Sequence, residues 1–175
     1  AGKIVVPSNS LADNYPAIAA QWDPDKNGDI TPAQVTSKSN RRFWWRCPVA
    51  DDHEWQAAVC DRHRFGCPVC DGKKVVPSNC LATTHPELAN QWHKKNKKTP
   101  HDYVAGSHLN AWWICDKGHE WKAVIKNRGY AGHACPYCSN RLVSDDNNIT
   151  VTHPELVAQW HPTKNPKLTP EQVTR

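Results

Sequence analysis

The chain has 175 residues, with 22 Lys and Arg against 17 Asp and Glu, 38% hydrophobic residues and no Met. That hydrophobic share is low for a globular domain with one large core, and no apolar run approaches the roughly 18 residues of a membrane-spanning helix. We therefore expect neither a membrane protein nor a membrane partner, and the missing Met indicates a processed product or a fragment of a longer chain.

The chain repeats itself. Residues 5–12 return as 75–82, residues 16–22 return as 86–92 and 154–160, residues 31–35 return as 169–173, and residues 44–47, 53–55 and 67–70 return as 112–115, 119–121 and 135–138. We predict two complete modules over residues 1–72 and 73–141 and a truncated third over residues 142–175. Because the third stops before a Trp-Trp pair, we expect a piece of a longer array; a half-repeat that acts as a natural cap is the alternative.

Two short helices are predicted in each repeat. Pro16 begins a segment whose apolar residues Ile18 and Trp22 lie four apart, which indicates a two-turn helix with one buried stripe. Thr31 and Gln34 are spaced as a capping box, which indicates a further short helix. Residues 86–92, 154–160 and 169–172 carry the same patterns.

A hairpin is predicted after these helices. Apolar and polar residues alternate from Trp55 to Arg62 and again from Trp121 to Arg128, and a period of two is typical of a half-buried strand. Pairing with the preceding Trp-Trp segment completes the hairpin. The expected fold class is a tandem series of small α+β modules, each a β-hairpin with short helices.

Six of the eight cysteines and two of the histidines form two sets with the ligand types of a structural zinc site. The sets are Cys47, His53, Cys67 and Cys70, and Cys115, His119, Cys135 and Cys138. Each set surrounds the second predicted strand, so a hairpin would bring its members together. A disulfide framework, a redox-active Cys-x-x-Cys and a catalytic zinc ion are the alternatives. Since disulfides would not explain the repeated His, we predict two structural Zn²⁺ ions per chain and hence zinc-stabilised modules.

Zinc binding also bears on charge and stability. Each Cys₃His site with its ion carries a charge of about −1, so two sites lower the formal +5 to about +3. Binding can supply folding free energy on the order of 10 kcal/mol, which modules of this size need. Cys60 and Cys80 are not repeated, because Lys126 and Ser10 stand at the corresponding positions, and we interpret both as free thiols.

The order of the motifs resembles a family of probable zinc-ribbon repeats of unknown function. The resemblance rests on Asn-x-Leu-Ala, Pro-x-Leu-Ala-x-Gln-Trp, Thr-Pro-x-x-Val, Trp-Trp-x-Cys, Gly-His-Glu-Trp at residues 118–121 and Cys-Pro-x-Cys, and it covers nearly the whole chain. It implies treble-clef-like modules in tandem arrays, sometimes in chains with a nuclease domain of the very-short-patch-repair type. The first repeat departs from the pattern in two ways. Asp52 stands before His53 where the family has Gly, and the turn between the first Cys and the His is longer, with five residues between Cys47 and His53 against three between Cys115 and His119.

Outside the zinc ligands, the sequence favours nucleic-acid binding over catalysis. We find no nucleophile with a paired base and no Gly-rich phosphate loop, so we expect no enzyme activity. Basic, amide and aromatic residues differ between the repeats, as a modular reader of nucleotide sequence requires. The candidate contacts are Arg41, Arg42, Arg62, His63, Arg64, Lys73, Lys74, Asn110, Lys126, Asn127, Arg128 and Tyr130.

Double-stranded DNA, bound by a monomeric chain within a longer array, is the partner that we favour. RNA or another single strand would instead stack on exposed Trp, Phe65 or Tyr130, and a protein-interaction scaffold would use the helix faces and the Trp-rich hairpins. The Trp-Trp pairs fit core packing better than base stacking, and Arg62 and Arg128 could instead brace the zinc sites. Reduced cysteines lead us to expect a reducing intracellular compartment, such as the nucleoid, the cytoplasm or the nucleus.

Overall fold

Each of the two repeats that contain a Trp-Trp pair forms an antiparallel β-hairpin. A computed structural model describes residues 4–161 and 163–174, and its strands are β1 (Arg42–Arg46), β2 (Glu54–Ala58), β3 (Asn110–Ile114) and β4 (Glu120–Val124). β1 pairs with β2 so that Trp45 lies opposite Trp55, and β3 pairs with β4 so that Trp113 lies opposite Trp121. The predicted hairpins are confirmed.

The helices are short, and most of them start at Pro or follow a side-chain cap. They are α1 (Leu11–Asn14), α2 (Pro16–Ala19), α3 (Pro24–Asn27), α4 (Leu81–Thr84), α5 (Pro86–Asn90), α6 (Ile125–Gly129), α7 (Ile149–Thr152) and α8 (Pro154–Val157), with 3-10 turns at Pro7–Asn9, Pro32–Gln34, Val59–Asp61, Pro100–Asp102 and Pro170–Gln172. The capping boxes predicted at Thr31 and Thr169 are present. Within the described ranges, no helix has the length and apolar character to cross a membrane. Residues 1–3 of the predicted first module and residues 162 and 175 of the predicted third lie outside the described residues.

The helix predicted over residues 16–22 is shorter than expected. It ends after one turn because the chain beyond it joins the edge of β1, where the Gln21 carbonyl accepts a hydrogen bond from the Arg46 amide at 2.9 Å. Trp22 then packs edge-on against Trp45, with ring centroids 5.3 Å apart. A short added piece of strand therefore replaces the second helical turn, and the second repeat ends α5 in the same way.

An asparagine side chain continues this edge in each repeat. Oδ1 of Asn27 accepts from the Trp44 amide at 2.9 Å, and its Nδ2 donates to the Trp44 carbonyl at 2.8 Å. Asn96 makes the same two bonds to Trp112, at 2.8 and 2.7 Å. The amide group thus satisfies backbone atoms that a third strand would otherwise pair.

The predicted strand that starts at Trp55 also ends early. After Ala58 the chain turns into a 3-10 helix, so residues three apart now share one side. Val59 and Arg62 therefore both face inward, at 0% and 6% exposure. Arg128, which the same alternation placed on the outer face, is likewise buried at the end of α6.

The structure divides into two compact units, whose boundaries differ from those of the sequence repeats. The first unit extends to Thr84 and includes Pro100–Val104, and the second comprises His85–Thr99 and the chain from Ala105 onward. The core of the first unit contains Leu11, Trp22, Val35, Phe43, Trp45, Trp55, Val59, Cys67 and Val69. Buried apolar residues of the second unit include Leu88, Ala105, Ala111, Trp113, Trp121, Ile125, Cys135 and Ile149. The module boundaries at 1–72, 73–141 and 142–175 stay a prediction.

Candidate metal centres

Each hairpin carries half of a four-residue cluster at its turn. In the first unit Cys47 follows β1 and His53 precedes β2, and the Cys47 amide donates to the His53 carbonyl at 2.9 Å. Cys67 and Cys70 lie on a tight turn further along, which closes when the Asp71 amide donates to the Cys67 carbonyl at 3.0 Å. The second unit places Cys115, His119, Cys135 and Cys138 in the same order around its hairpin.

The ligand atoms of each cluster lie within 4.8 Å of one another. In the first unit the sulfurs of Cys47 and Cys70 are 3.7 Å apart, and Nδ1 of His53 lies 3.4 Å from the Cys70 sulfur. In the second unit the corresponding sulfurs are 3.8 Å apart, and Nδ1 of His119 lies 3.4 to 3.6 Å from the three sulfurs. A tetrahedron with zinc bonds of about 2.3 Å to sulfur and about 2.0 Å to nitrogen has edges of about 3.8 and about 3.5 Å. The donor atoms therefore fit a zinc ion.

The donor set also identifies the kind of site. Sulfurs 3.7 Å apart are too distant for a disulfide, whose bond is about 2.05 Å long. Three thiolates and one imidazole fill all four positions of tetrahedral zinc and leave none for water or substrate, as is typical of a structural ion. The clusters are thus consistent with two structural Zn²⁺ ions, one in each repeat, as predicted. Cys60 and Cys80 belong to neither cluster and are free thiols.

The thiols of a cluster change one another's pKa. Burial, together with the neighbouring Cys47 and Cys67, raises the pKa of Cys70 to about 12. In the second unit, burial and two neighbouring thiols raise the pKa of Cys138 to about 11. A cluster without metal therefore retains thiol protons at neutral pH, and zinc binding must displace them.

A buried arginine lies beside each cluster. The Arg62 guanidinium lies over the rings of Trp45 and Trp55, 5.0 and 4.8 Å from their centroids. It donates to the Phe65 carbonyl at 2.5 Å and to Oε1 of Gln21 at 2.7 Å. In the second unit the same contacts join Arg128 to Trp113, Trp121, the His133 carbonyl and Gln91.

The buried arginines balance the charge of the clusters. Burial lowers the pKa of Arg62, and the nearby thiolates of Cys67 and Cys47 act in the opposite direction. Because a zinc-loaded Cys₃His site carries a charge of about −1, one cation beside it offsets that charge. The guanidinium groups of Arg62 and Arg128 are buried and bonded within the protein, which favours the bracing role. Their expected contact with nucleic acid stays a prediction.

The imidazole of each cluster is also held from its other side. Nδ1 faces the sulfurs, so Nε2 points away from them, and in the second unit it lies 2.8 Å from Oδ1 of Asp146. In the first unit Nε2 of His53 lies 3.1 Å from Oγ of Ser78, which donates to Oδ1 of Asp52 at 2.6 Å. Sequence reasoning missed these partners. The available signal was spacing, because Ser78 and Asp146 each follow a Cys-Pro-x-Cys motif by eight residues.

The remaining candidates for nucleic-acid contact are all exposed. They are Arg41, Arg42, His63, Arg64, Lys73, Lys74, Asn110, Lys126, Asn127 and Tyr130. In the first unit Arg42, Phe65 and Lys73 line one cleft of about 320 Å³, together with Asp61 and Asp71. The fold thus gathers basic and aromatic residues from three separate parts of the sequence.

The Trp-Trp pairs belong to the packing, as expected. Trp45 and Trp113 are fully buried. Trp44 is half-buried and covered by Lys26, whose Nζ lies 4.8 Å from the ring centroid, and the second unit has the same arrangement. Trp45 and Trp113 therefore present no open ring face of the kind that base stacking requires.

One protein family matches both units. Its sequence profile, described as a probable treble clef zinc finger domain, matches residues 18–73 and 88–141. A comparison with curated proteins finds no match to the chain. The two matched regions cover more than half of the chain, and each contains one complete Cys₃His cluster. The chain therefore belongs to the probable treble clef zinc finger family and contains two of its zinc-binding modules in tandem.

Proposed function

We propose that these zinc-dependent modules bind nucleic acid and that double-stranded DNA is their main ligand. The supporting observation is that exposed basic and amide residues differ between two units whose ligands and core agree. Arg42 begins β1 where Asn110 begins β3, and both side chains are exposed. Lys and Arg neutralise phosphates, and Arg and Asn can also read base edges in the major groove. A shared scaffold with different surface residues suits recognition of a different sequence by each unit.

In this proposal the zinc ions act through structure alone. Each ion, held by its four protein ligands, joins the hairpin turn to the Cys-x-x-Cys turn and offers no position to a nucleotide. Arg42 lies on the hairpin, and Lys73 follows the ligand Cys70 closely, so zinc fixes their relative position. The chain would act as a monomer in a reducing intracellular compartment that contains DNA. The proposal assigns no catalytic role to either ion, because each is held by four protein ligands.

A single-stranded ligand is the second candidate, and two exposed aromatic rings favour it. Phe65 and Tyr130 are 58% and 69% exposed, each in the loop before a Cys-Pro-x-Cys turn. Nζ of Lys73 lies 5.9 Å from the Phe65 ring centroid, so a base on the ring would have a cation nearby for its phosphate. Stacking on such a ring contributes about 1–3 kcal/mol per base.

Binding measurements with matched ligands test the proposal. Fluorescence anisotropy of the zinc-loaded chain would compare a random-sequence duplex with single-stranded DNA and RNA of equal length, at about 50 and about 200 mM salt. We expect the duplex to bind most tightly and its affinity to fall steeply with salt. Zinc chelation should abolish the binding. Selection from a random duplex library would then reveal an enriched motif of two half-sites.

Substitutions identify the surface and separate the candidates. We expect Arg42→Gln and Arg64→Gln each to weaken duplex binding and to lower the salt slope by about 0.9 per lost phosphate contact. Lys167→Gln removes the same charge outside the proposed surface and should leave binding unchanged. Phe65→Ala should weaken only single-strand binding. No binding to any of the three ligands, or retention of a protein partner at high salt instead, would reject the proposal.

A further inference from the structure

We infer that each zinc site is completed by the chain segment that follows it, which contacts the histidine ligand from behind, either with a carboxylate of its own or with a hydroxyl bonded to a carboxylate. This closing segment comprises residues 76–79 in the first unit and 144–147 in the second. In the sequence it belongs to the next repeat, yet it folds with the preceding zinc cluster, since the first compact unit extends to Thr84. Ser78 with Asp52, and Asp146, are the positioning residues.

An asparagine attaches the closing segment to the ligand turn. Nδ2 of Asn79 donates at 3.0 Å to the carbonyl of Val69, which lies between the two cysteines of the turn, and its Oδ1 accepts from the Val76 amide at 2.8 Å. Asn147 is 8% exposed, and its Nδ2 donates at 2.7 Å to the equivalent carbonyl, that of Tyr137. Because the bonds are the same in both units, the attachment belongs to the module.

The residue before each asparagine meets the imidazole. With zinc on Nδ1, the ring proton of His119 resides on Nε2 and is donated to Oδ1 of Asp146. Asp146 is held in place, because its Oδ1 also accepts from Oγ of Ser144 at 2.5 Å. A partner of this kind fixes the tautomer and orientation of the ring and makes the ligand nitrogen more basic.

The two units achieve this arrangement with different residues. The second unit has Gly118 before its ligand histidine and Asp146 in the closing segment. The first unit has Asp52 before its histidine and Ser78 in the closing segment, and the Ser78 hydroxyl connects the ring to the carboxylate. The Ser78 amide also donates to Oδ2 of Asp52 at 2.8 Å. Each unit thus has one carboxylate behind the ring, although its position in the sequence differs, which argues that the carboxylate itself is required.

The rate of zinc release measures this contribution directly. The full zinc-loaded chain would transfer its ions to a chromophoric chelator, with Asp146→Ala compared against Asp145→Ala, the exposed neighbouring carboxylate. Loss of such a partner typically lowers metal affinity about 10–100-fold, so we expect one of the two ions to leave about 10–100 times faster from the Asp146→Ala chain. The Asp146→Asn chain should release its ion at an intermediate rate, because an amide oxygen still accepts a hydrogen bond from Nε2. Equal release from the Asp146→Ala and Asp145→Ala chains would overturn the inference.

Two further measurements distinguish positioning from general stability. In the first unit, Asp52→Ala should accelerate release of the other ion, and adding Ser78→Asp should restore retention by supplying the carboxylate from the closing segment, as the second unit does. Nitrogen-15 NMR of the histidine rings should show that the Nε2 proton of His119 exchanges faster in the Asp146→Ala chain. Failure of Ser78→Asp to restore retention, or an unchanged His119 proton, would contradict the positioning role.

Discussion

The guanidinium carbon of Arg62 lies 5.0 Å from the ring centroid of Trp45, a residue with no exposed surface. The contact holds a positive charge on the aromatic core and close enough to Cys67 and Cys47 to interact with their thiolates. Within the described residues, Nε of Arg62 and Nε of Arg128 are buried without a hydrogen-bond acceptor. The charge of the adjacent zinc site therefore offsets the cost of burying these groups.

Removal of this arginine should destabilise the zinc-loaded protein. Arg62→Ala leaves the Gln21 side chain and the Phe65 carbonyl without their donor, and the zinc site without its balancing charge. Since bonds from charged donors contribute about 1.5–3 kcal/mol, we expect a loss of about 2–3 kcal/mol in the free energy of unfolding. Urea unfolding followed by Trp fluorescence would measure it. Arg64→Ala removes an exposed arginine and should change the stability by less than about 0.5 kcal/mol; equal effects would refute the bracing role.

The zinc stoichiometry should follow the two clusters independently. Cys67→Ser or Cys135→Ser removes one thiolate from one site, so elemental analysis should find one ion in each variant and two in the unaltered chain. Cys60→Ser alters a thiol outside both clusters and should leave two. Two ions in the Cys135→Ser chain would show that the ligand set of the second unit is misassigned.

Zinc affinity should rise with pH. Burial and neighbouring thiols raise the pKa of Cys70 to about 12 and that of Cys138 to about 11, so zinc displaces protons at neutral pH. Protons compete with the ion, and each displaced proton changes the apparent affinity by up to about tenfold per pH unit. Chelator competition between about pH 6 and 8 would measure the slope. Calorimetry in buffers of different ionisation enthalpy counts the released protons, and a flat profile would disprove their displacement.

The asparagine at the edge of the second hairpin should contribute to stability through its side chain. Asn96→Ala removes two bonds to the Trp112 backbone and leaves the Trp112 amide without its acceptor, while the carbonyl keeps the bond from the His93 amide. The expected cost is about 1–3 kcal/mol, measured by thermal unfolding of the zinc-loaded chain. Asn127→Ala, at an exposed position, is the matched control. A shift no larger than that of the control would mean that water replaces the asparagine.

The sequence predicted the hairpins and both zinc clusters because their signals are local. Alternation around Trp55 and Trp121 and the spacing of Cys and His need no knowledge of distant contacts. The same reasoning did not predict where the strands and helices end. The alternating pattern continues past Ala58, where the strand in fact ends and a 3-10 helix begins. The hydrogen bond between Gln21 and Arg46 that shortens α2 joins residues that are distant in the sequence.

The residues that position the histidine ligands were not predicted from the sequence, for a related reason. Ser78 and Asp146 lie in the repeat that follows their zinc cluster, and a search for ligands within one repeat does not reach them. Asp52 appeared in the sequence only as a departure from Gly. Its role becomes visible when the fold brings it to within hydrogen-bonding distance of Ser78. Spacing to the preceding Cys-Pro-x-Cys motif was the one local clue.

The position of the closing segment governs where such arrays can be spliced. A chimera joined directly after a Cys-Pro-x-Cys turn would give the upstream zinc ion a foreign closing segment, and with it a different partner for the histidine. A joint near Pro86, at the start of α5, would keep the closing segment with the cluster that it serves, but it would separate Leu81 from Tyr103, whose carbonyl accepts a hydrogen bond from the Leu81 amide. Because Pro100–Val104 also fold with the first unit, an exchangeable cassette must supply an equivalent of that segment as well.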